Sequence, residues 1–223
     1  MTETKILEQY PMDLFPNKRI EDTNAHEIDY DRHYSIGSLI FIFFACSFIG
    51  WLWEVIIHIV EDGVLVNRGV LLGPWLPIYG SGSVLILLLL RPFFKRPVAT
   101  FFSSMILCSS VEYVTSWYLE LKEGIRWWDY SGYFLNINGR ICLAGAVIFG
   151  AGGCAIVYFA APKLDDCWKK LSKKLQLGIC IVLALLFVDD LVKSHENPNT
   201  GKGITDYEYN QKNSPEISGQ HEK

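Results

Sequence analysis

Five runs of roughly twenty residues carry almost no charge, and no other feature limits so strongly what this chain can fold into. A helix rises about 1.5 Å per residue, so about twenty apolar residues cross a hydrocarbon layer about 30 Å thick. Half of the 223 residues are apolar and only one fifth are charged, and the charges crowd into the first 33 residues, the last thirty and the connections between runs. That segregation argues against one soluble core. It predicts an all-α polytopic membrane bundle of about five transmembrane helices, with spans over 36–60, 71–90, 98–121, 141–161 and 175–193. The organisation expected is a polar cytoplasmic tail at 1–34, a transmembrane domain at 35–193 and a polar, flexible tail at 194–223. The N-terminal stretch contains no apolar run of the kind a cleaved signal needs.

The second run is irregular. Gly73, Pro74, Pro77, Gly80 and Gly82 crowd its first half, whereas Val84 to Leu90 is unbroken. Proline removes a backbone donor, so the first half reads as kinked, unwound or re-entrant, and such backbone survives at membrane depth only under a covering of protein or a watery cavity. On the fourth run Ala146, Gly150 and Cys154 recur every four residues, a stripe suited to close helix packing. The six cysteines are scattered, without a Cys-x-x-Cys pair, and read as small packing residues; no metal site and no cofactor are expected. A net charge of -4 argues against a nucleic-acid partner.

Lysine and arginine near the span ends set the orientation. Eleven lie on the N-terminal side, including Arg32, Arg91, Lys95 and the group Lys163 to Lys174; six lie on the other, among them Arg68, Arg126 and Arg140. The N-terminus is therefore expected in the cytoplasm and the C-terminus outside. The acids within the runs then fall on one side. Glu54 sits roughly 9 Å beyond the middle of the first span and Glu112 about 4 Å beyond the middle of the third, with Glu120, Asp189 and Asp190 farther out. A carboxylate at such depth costs about 2.5 to 3.5 kcal/mol on insertion scales, which calls for a partner or water. Arg68, Arg126 and Arg140 are the cations available there. The expectation is one network joining Glu54, Glu112 and Glu120 to Arg68 and Arg140, with Ser116 on the same face as Glu112 and Glu120. It serves either to bind a ligand or to clamp the helices. Trp127, Trp128, Asp129 and Tyr130 form a loop that either anchors at the interface or lies across the mouth of a polar cavity. His58, four residues from Glu54, could relay a proton with it or simply sit at the interface.

The order of motifs gives a resemblance. Gly50-Trp51-Leu52-Trp53-Glu54, Asn67-Arg68-Gly69, Gly73-Pro74-Trp75-Leu76-Pro77-Ile78-Tyr79-Gly80, Glu112-Tyr113-Val114-Thr115-Ser116 with Glu120, Trp127-Trp128-Asp129-Tyr130-Ser131 and Asn138-Gly139-Arg140 together resemble the bacterial ABC-transporter type IV family. The likeness covers roughly residues 35–203. It implies a multi-pass protein of the bacterial inner membrane that acts as an ABC transporter permease component. It marks Glu54, Asn67, Arg68, Glu112, Glu120, Trp128, Asp129 and Arg140 as the residues to watch.

The resemblance also implies partners: the lipid bilayer, a separate ATP-binding subunit, and a second copy or other protein to enclose a path that five spans cannot. Pro162 to Lys174 is the segment on which an ATPase could dock, although its lysines equally suit anionic lipid. The chain has no phosphate-cradling loop ending in Gly-Lys-Ser/Thr, no Gly-x-Ser-x-Gly elbow and no His-Glu-x-x-His pair, so ATP hydrolysis by such a loop is excluded for this chain. The leading expectation is a permease component that recognises a small polar or charged solute, or a lipid headgroup, in an outer-leaflet polar cavity. A membrane-embedded enzyme acting on lipid or envelope precursors, with Glu54 or Glu112 as general base, and a non-transporting accessory or regulatory subunit stay open as alternatives.

Overall fold

The computed structural model describes residues 29–201 and 203–205. The expected cytoplasmic tail lies outside the described residues up to residue 28, as does the C-terminal tail from residue 206. The described chain is helical: α1 (Ile36–Asp62), α2 (Pro77–Leu89), α3 (Pro97–Glu123), α4 (Leu143–Ala155), α5 (Ala161–Lys169) and α6 (Lys173–Glu196). Among the described residues four segments are long and apolar enough to cross a membrane, namely Ile36–Val60, Pro97–Glu123, Leu143–Lys169 and Lys173–Glu196, and Pro77–Leu89 is a shorter apolar helix. The all-helical membrane bundle read from the sequence is the fold found.

Each boundary has a local cause. Ser35 caps α1 by accepting from the Ser38 amide, and Gly63 closes it in the left-handed region at φ 68°. Gly124, at φ 70°, ends α3 in the same way. The second apolar run is helical only from Pro77, which occupies the first turn where its missing N–H costs nothing. Ahead of it, residues 71–76 are non-helical, and the Leu76 amide donates to the Ser47 carbonyl at 3.0 Å. Ser47 lies midway along α1, so the irregular stretch descends into the bundle before α2 begins. Gly50 and Gly80 make that descent fit. A side chain on Gly50 would strike the Tyr79 ring, and one on Gly80 would strike Ser47 and Phe43.

The fourth run is longer than the sequence suggested, because α4 continues through a π-helical turn (Ile156–Ala160) into α5. Pro162 cannot donate to the preceding turn, which favours a change of register at that point. The small-residue stripe packs on α3, where a side chain on Gly150 would meet the Phe101 ring and Cys154 Sγ lies 3.8 Å from the Pro97 carbonyl; beside the stripe, a side chain on Gly153 would meet Ser104. The apolar core joins Ile42 and Cys46 of α1 to Ile86 and Leu87 of α2, Phe94, Val157 and Ala161.

Side-chain pairs define the two ends. At one, Arg32 pairs with Asp165 and Asp166, Lys95 with Asp31, and Arg91 with the His33 ring. Asp165 is fully buried and also accepts from Ser38 Oγ at 2.6 Å and from Lys169 Nζ at 2.6 Å. At the other end the 63–76 connection meets α6 and the residues after it, Lys122 of α3 meets the His195 ring of α6, and the 124–142 loop reaches back to α3 through Tyr130 and Glu112.

Candidate functional site

The Glu54 end is built from three connections laid over the helix ends. α6 supplies the first anchor. Asp190, on its last turns, accepts from the Leu72 amide at 3.1 Å, the Gly73 amide at 3.0 Å, the Trp75 indole at 2.5 Å and Ser194 Oγ at 3.2 Å. A carboxylate with four donors is satisfied, and here it fixes the turn that feeds α2. Asn67 is a second anchor: its amide oxygen accepts from Trp51 Nε1 at 2.7 Å and its amide nitrogen donates to the Leu72 carbonyl at 2.7 Å. Asn199 ties the segment after α6 down by donating to the carbonyls of Asn67 and Gly69.

Within this frame the charged residues form two groups rather than the single network expected. In the first, Glu54 accepts from Tyr79 Oη at 2.7 Å and lies 3.7 Å from Arg68 Nε. Arg68 spends its Nη1 on the carbonyls of Gly203 and Ile204, at 2.7 and 2.9 Å. Glu112, only 6% exposed, accepts from Tyr130 Oη at 3.3 Å. Its other oxygen, Oε2, is buried and has no hydrogen-bond partner. Burial pushes the Tyr130 phenol well above its ordinary range, and the carboxylates of Glu112 and Glu54 add to that shift. The 130 hydroxyl is therefore a donor at every physiological pH, and it senses both acids.

In the second group Arg126 is central. Its guanidinium donates to Glu120 from Nε and Nη2, at 3.0 and 2.9 Å, and from Nη1 to Asp129 at 3.1 Å. Arg140 completes the group, with Nη2 2.8 Å from Glu120 and Nη1 donating to Ser116 at 3.1 Å. The Trp128 indole donates to the Arg140 carbonyl at 3.1 Å and ties the start of the loop to its end. Gly139, at φ 66°, brings the loop so close that a side chain there would strike Asp129.

All nine residues singled out in the sequence therefore lie at one end of the bundle, in different company from that expected. Arg68 reaches Glu54 but not Glu120, Arg140 reaches Glu120, and Glu112 meets a tyrosine. Arg126, Tyr79, Tyr130 and Asp190 were not among those nine. Arg126 could have been found from its spacing, six residues after Glu120 and three before Asp129; nothing local marks Tyr79, whose partner Glu54 is 25 residues away, and Asp190, visible as an acid within the fifth run, gave no sign of its partners on the 71–76 stretch. Among the described residues no group of three or more His, Cys, Asp or Glu side chains is arranged to hold a metal ion.

A family model described as "Putative ABC-transporter type IV" matches residues 41–195. The chain belongs to that family. The match runs from the first turns of α1 to the end of α6 and takes in every charged side chain of both groups, whereas the carbonyl partners of Arg68 at Gly203 and Ile204 lie beyond it. Comparison with curated proteins and with solved structures gives no match.

Proposed function

We propose that this member of the ABC-transporter type IV family is a permease component of the bacterial inner membrane, and that it takes a small polar or charged solute, or a lipid headgroup, at the Glu54 and Glu112 end. The observation that carries the reading is the second oxygen of Glu112. A buried acceptor without a donor is costly, and native proteins leave few of them. A ligand with an N–H or O–H group would supply the missing bond. In this reading Glu54, Arg68, Glu112 and Tyr130 are the binding half, while Glu120, Arg126, Asp129, Arg140 and Ser116 clamp the loop over it. Asn67 and Trp128 hold the frame.

The test is the inventory of small molecules that travel with the purified protein. Mass spectrometry of wild type against Glu112→Gln and Glu54→Gln is expected to show at least one species lost from both variants; identical inventories in folded variants argue against the reading. The permease role needs a second measurement. A separate ATP-binding subunit should co-purify with the protein, and neutralising Lys169, Lys170, Lys173 and Lys174 should release it. A complex indifferent to those four changes would remove the support for docking at α5 and the turn that follows.

A further inference from the structure

Glu54 and Glu112 are both acids within apolar runs, yet their surroundings differ in kind. The Glu54 side chain is 29% exposed and has Arg68 Nε 3.7 Å away. Glu112 is 6% exposed, and among the described residues no lysine, arginine or histidine side chain pairs with it. Arg68 is held by Glu54 and two carbonyls, and Arg140 by Glu120 and Ser116. The bonds carry the same contrast. Tyr79 Oη donates to Glu54 at 2.7 Å, the length of a hydroxyl bond to a charged carboxylate, whereas Tyr130 Oη lies 3.3 Å from Glu112 Oε1, longer than such bonds run.

The groups that face Glu112 come from each element around it. They are Glu54 on α1, Tyr79 on α2, Cys108 one turn back on α3 and Tyr130 on the 124–142 loop, with Cys142, at the start of α4, beyond Tyr130. One is a second carboxylate; the rest are phenols and thiols, which offer no positive charge. A full negative charge on Glu112 would be buried beside another, with one long hydrogen bond and no counter-ion, and a desolvated charge of that kind is neutralised rather than kept. A carboxylic acid there leaves one hydroxyl without an acceptor, a far smaller loss. Its Oε2 is also sealed. A proton, unlike any other ligand, needs no cavity to sit there.

We propose that Glu112 is a proton-binding site: in the arrangement seen it is a neutral carboxylic acid beside the Glu54 carboxylate, with the proton on Oε2, and a solute donor that reaches Oε2 displaces that proton. The step is a bare proton transfer. The Oε2–H bond breaks, the proton leaves to solvent, and the carboxylate that remains accepts the N–H or O–H of the solute. Proton binding stands on the surroundings of Glu112 alone, whereas the displacement rests on the reading of Glu112 as a solute contact.

The experiment is infrared spectroscopy of the full-length protein at neutral pH in dodecyl maltoside, a detergent with no carbonyl group. Ordinary Asp and Glu side chains are ionised there, so the wild-type protein should show the carbonyl stretch of a protonated carboxyl, and that stretch should shift only slowly in heavy water. Glu112→Gln should remove the band. Glu54→Gln, which takes away the neighbouring negative charge, should keep it at mildly acidic pH and lose it at a lower pH than wild type does. A wild-type spectrum without the band overturns the proposal, and it does so without any variant having to fold. A band that survives in a folded Glu112→Gln protein belongs to another acid and overturns it as well. The displacement is read by mass spectrometry of the small molecules that travel with wild-type protein purified at about pH 6 and at about pH 9. A species that is lost in Glu112→Gln should be severalfold more abundant at the higher pH, and equal amounts overturn the displacement. The two levels fail separately. If the band is absent but a species is still lost in Glu112→Gln, the proton inference falls and the solute reading stands. If the band is present and no species depends on Glu112, the proton site stands and the solute reading falls with the displacement.

Discussion

Asp190 on α6 and Trp75 on the descending turn before α2 are joined by a 2.5 Å hydrogen bond from the indole to the carboxylate, the shortest link between the last helix and the irregular second segment. The same carboxylate also receives the two consecutive amides of Leu72 and Gly73. These bonds explain how non-helical backbone is sustained within an apolar bundle. Its donors are met by one buried acid, and the Trp75 ring packs edge-on against Phe44 and Phe187.

Asp190→Ala should therefore unfold the turn before anything else. It leaves two amides and an indole without acceptors, a loss of about 3 kcal/mol or more. Asp190→Asn, which keeps one acceptor oxygen, should lose less. Thermal unfolding in detergent, followed by tryptophan fluorescence, would show the order Ala below Asn below wild type; a wild-type midpoint for Asp190→Ala would contradict the anchoring role.

Arg126 is 6% exposed and paired with two acids, so removing it strands charge. Arg126→Gln is expected to cost about 3 to 5 kcal/mol, and Arg126→Lys to recover little because a lysine cannot bridge Glu120 and Asp129 in the same fork. The pair with Glu120 should show up in a double-mutant cycle with Glu120→Gln as a coupling of about 1 to 3 kcal/mol. Additive losses would mean that the contact does not contribute.

Tyr34, just before α1, and Tyr130, on the 124–142 loop, set an alkaline limit. Burial raises Tyr34 to about 12, and Tyr130 is raised further by the same cause. A group whose folded pKa lies above its unfolded value stabilises the fold fully below the unfolded value, near 10 for tyrosine, and that contribution is lost as pH rises through the folded value. Stability should hold up to about pH 10 and then fall, with delayed tyrosinate absorbance. In Tyr34→Phe the part of the decline between about pH 10 and 12 should shrink. A decline that begins well below pH 10 would point to other groups.

Close approach of α1 and α2 depends on Gly80, and that of α3 and α4 on Gly153. Either glycine changed to alanine drives a methyl group into Ser47 and the Phe43 carbonyl, or into Ser104. Each is expected to cost about 1 to 3 kcal/mol by overpacking. Gly152, with open space around it, supplies the control: Gly152→Ala should be neutral or slightly stabilising. Equal midpoints for all three would show that these contacts are slack.

The orientation proposed from the lysine and arginine count can be read in whole cells. Phe134, 76% exposed on the loop at the Glu54 end, and Lys170, exposed at the opposite end, are suitable cysteine sites. A membrane-impermeant thiol reagent should label Phe134→Cys in intact cells and Lys170→Cys only after permeabilisation. The reverse pattern would invert the molecule in the membrane.

The residues that sequence reading found and those it missed differ in one physical respect. Glu54, Glu112 and Glu120 stood out because an acid inside an apolar run is expensive wherever the run ends up, so their cost is a local property. Gly73, Pro74 and Pro77 likewise announced irregular backbone by their own chemistry. Asp165 gave no such signal. It lies in a polar stretch that reads as surface, yet Ser38, Arg32 and Lys169 enclose it completely. Arg126 was visible as one of three available cations, but its choice of Glu120 and Asp129 over Glu54 required the path of the 124–142 loop.

The sequence by itself determined that the chain is a helical membrane bundle, that its second segment breaks, and that the acids within its apolar runs gather at one end. Those properties follow from apolar run length, proline and glycine chemistry and the depth of single charges, each of which acts within a few residues. Only the tertiary structure decided who pairs with whom: Arg126 satisfying Glu120 and Asp129, Arg68 turned towards Gly203 and Ile204, and Glu112 left with one oxygen open. Pairing across connections is fixed by how the loops fold over the helix ends, and that path is set by contacts between residues far apart in the chain.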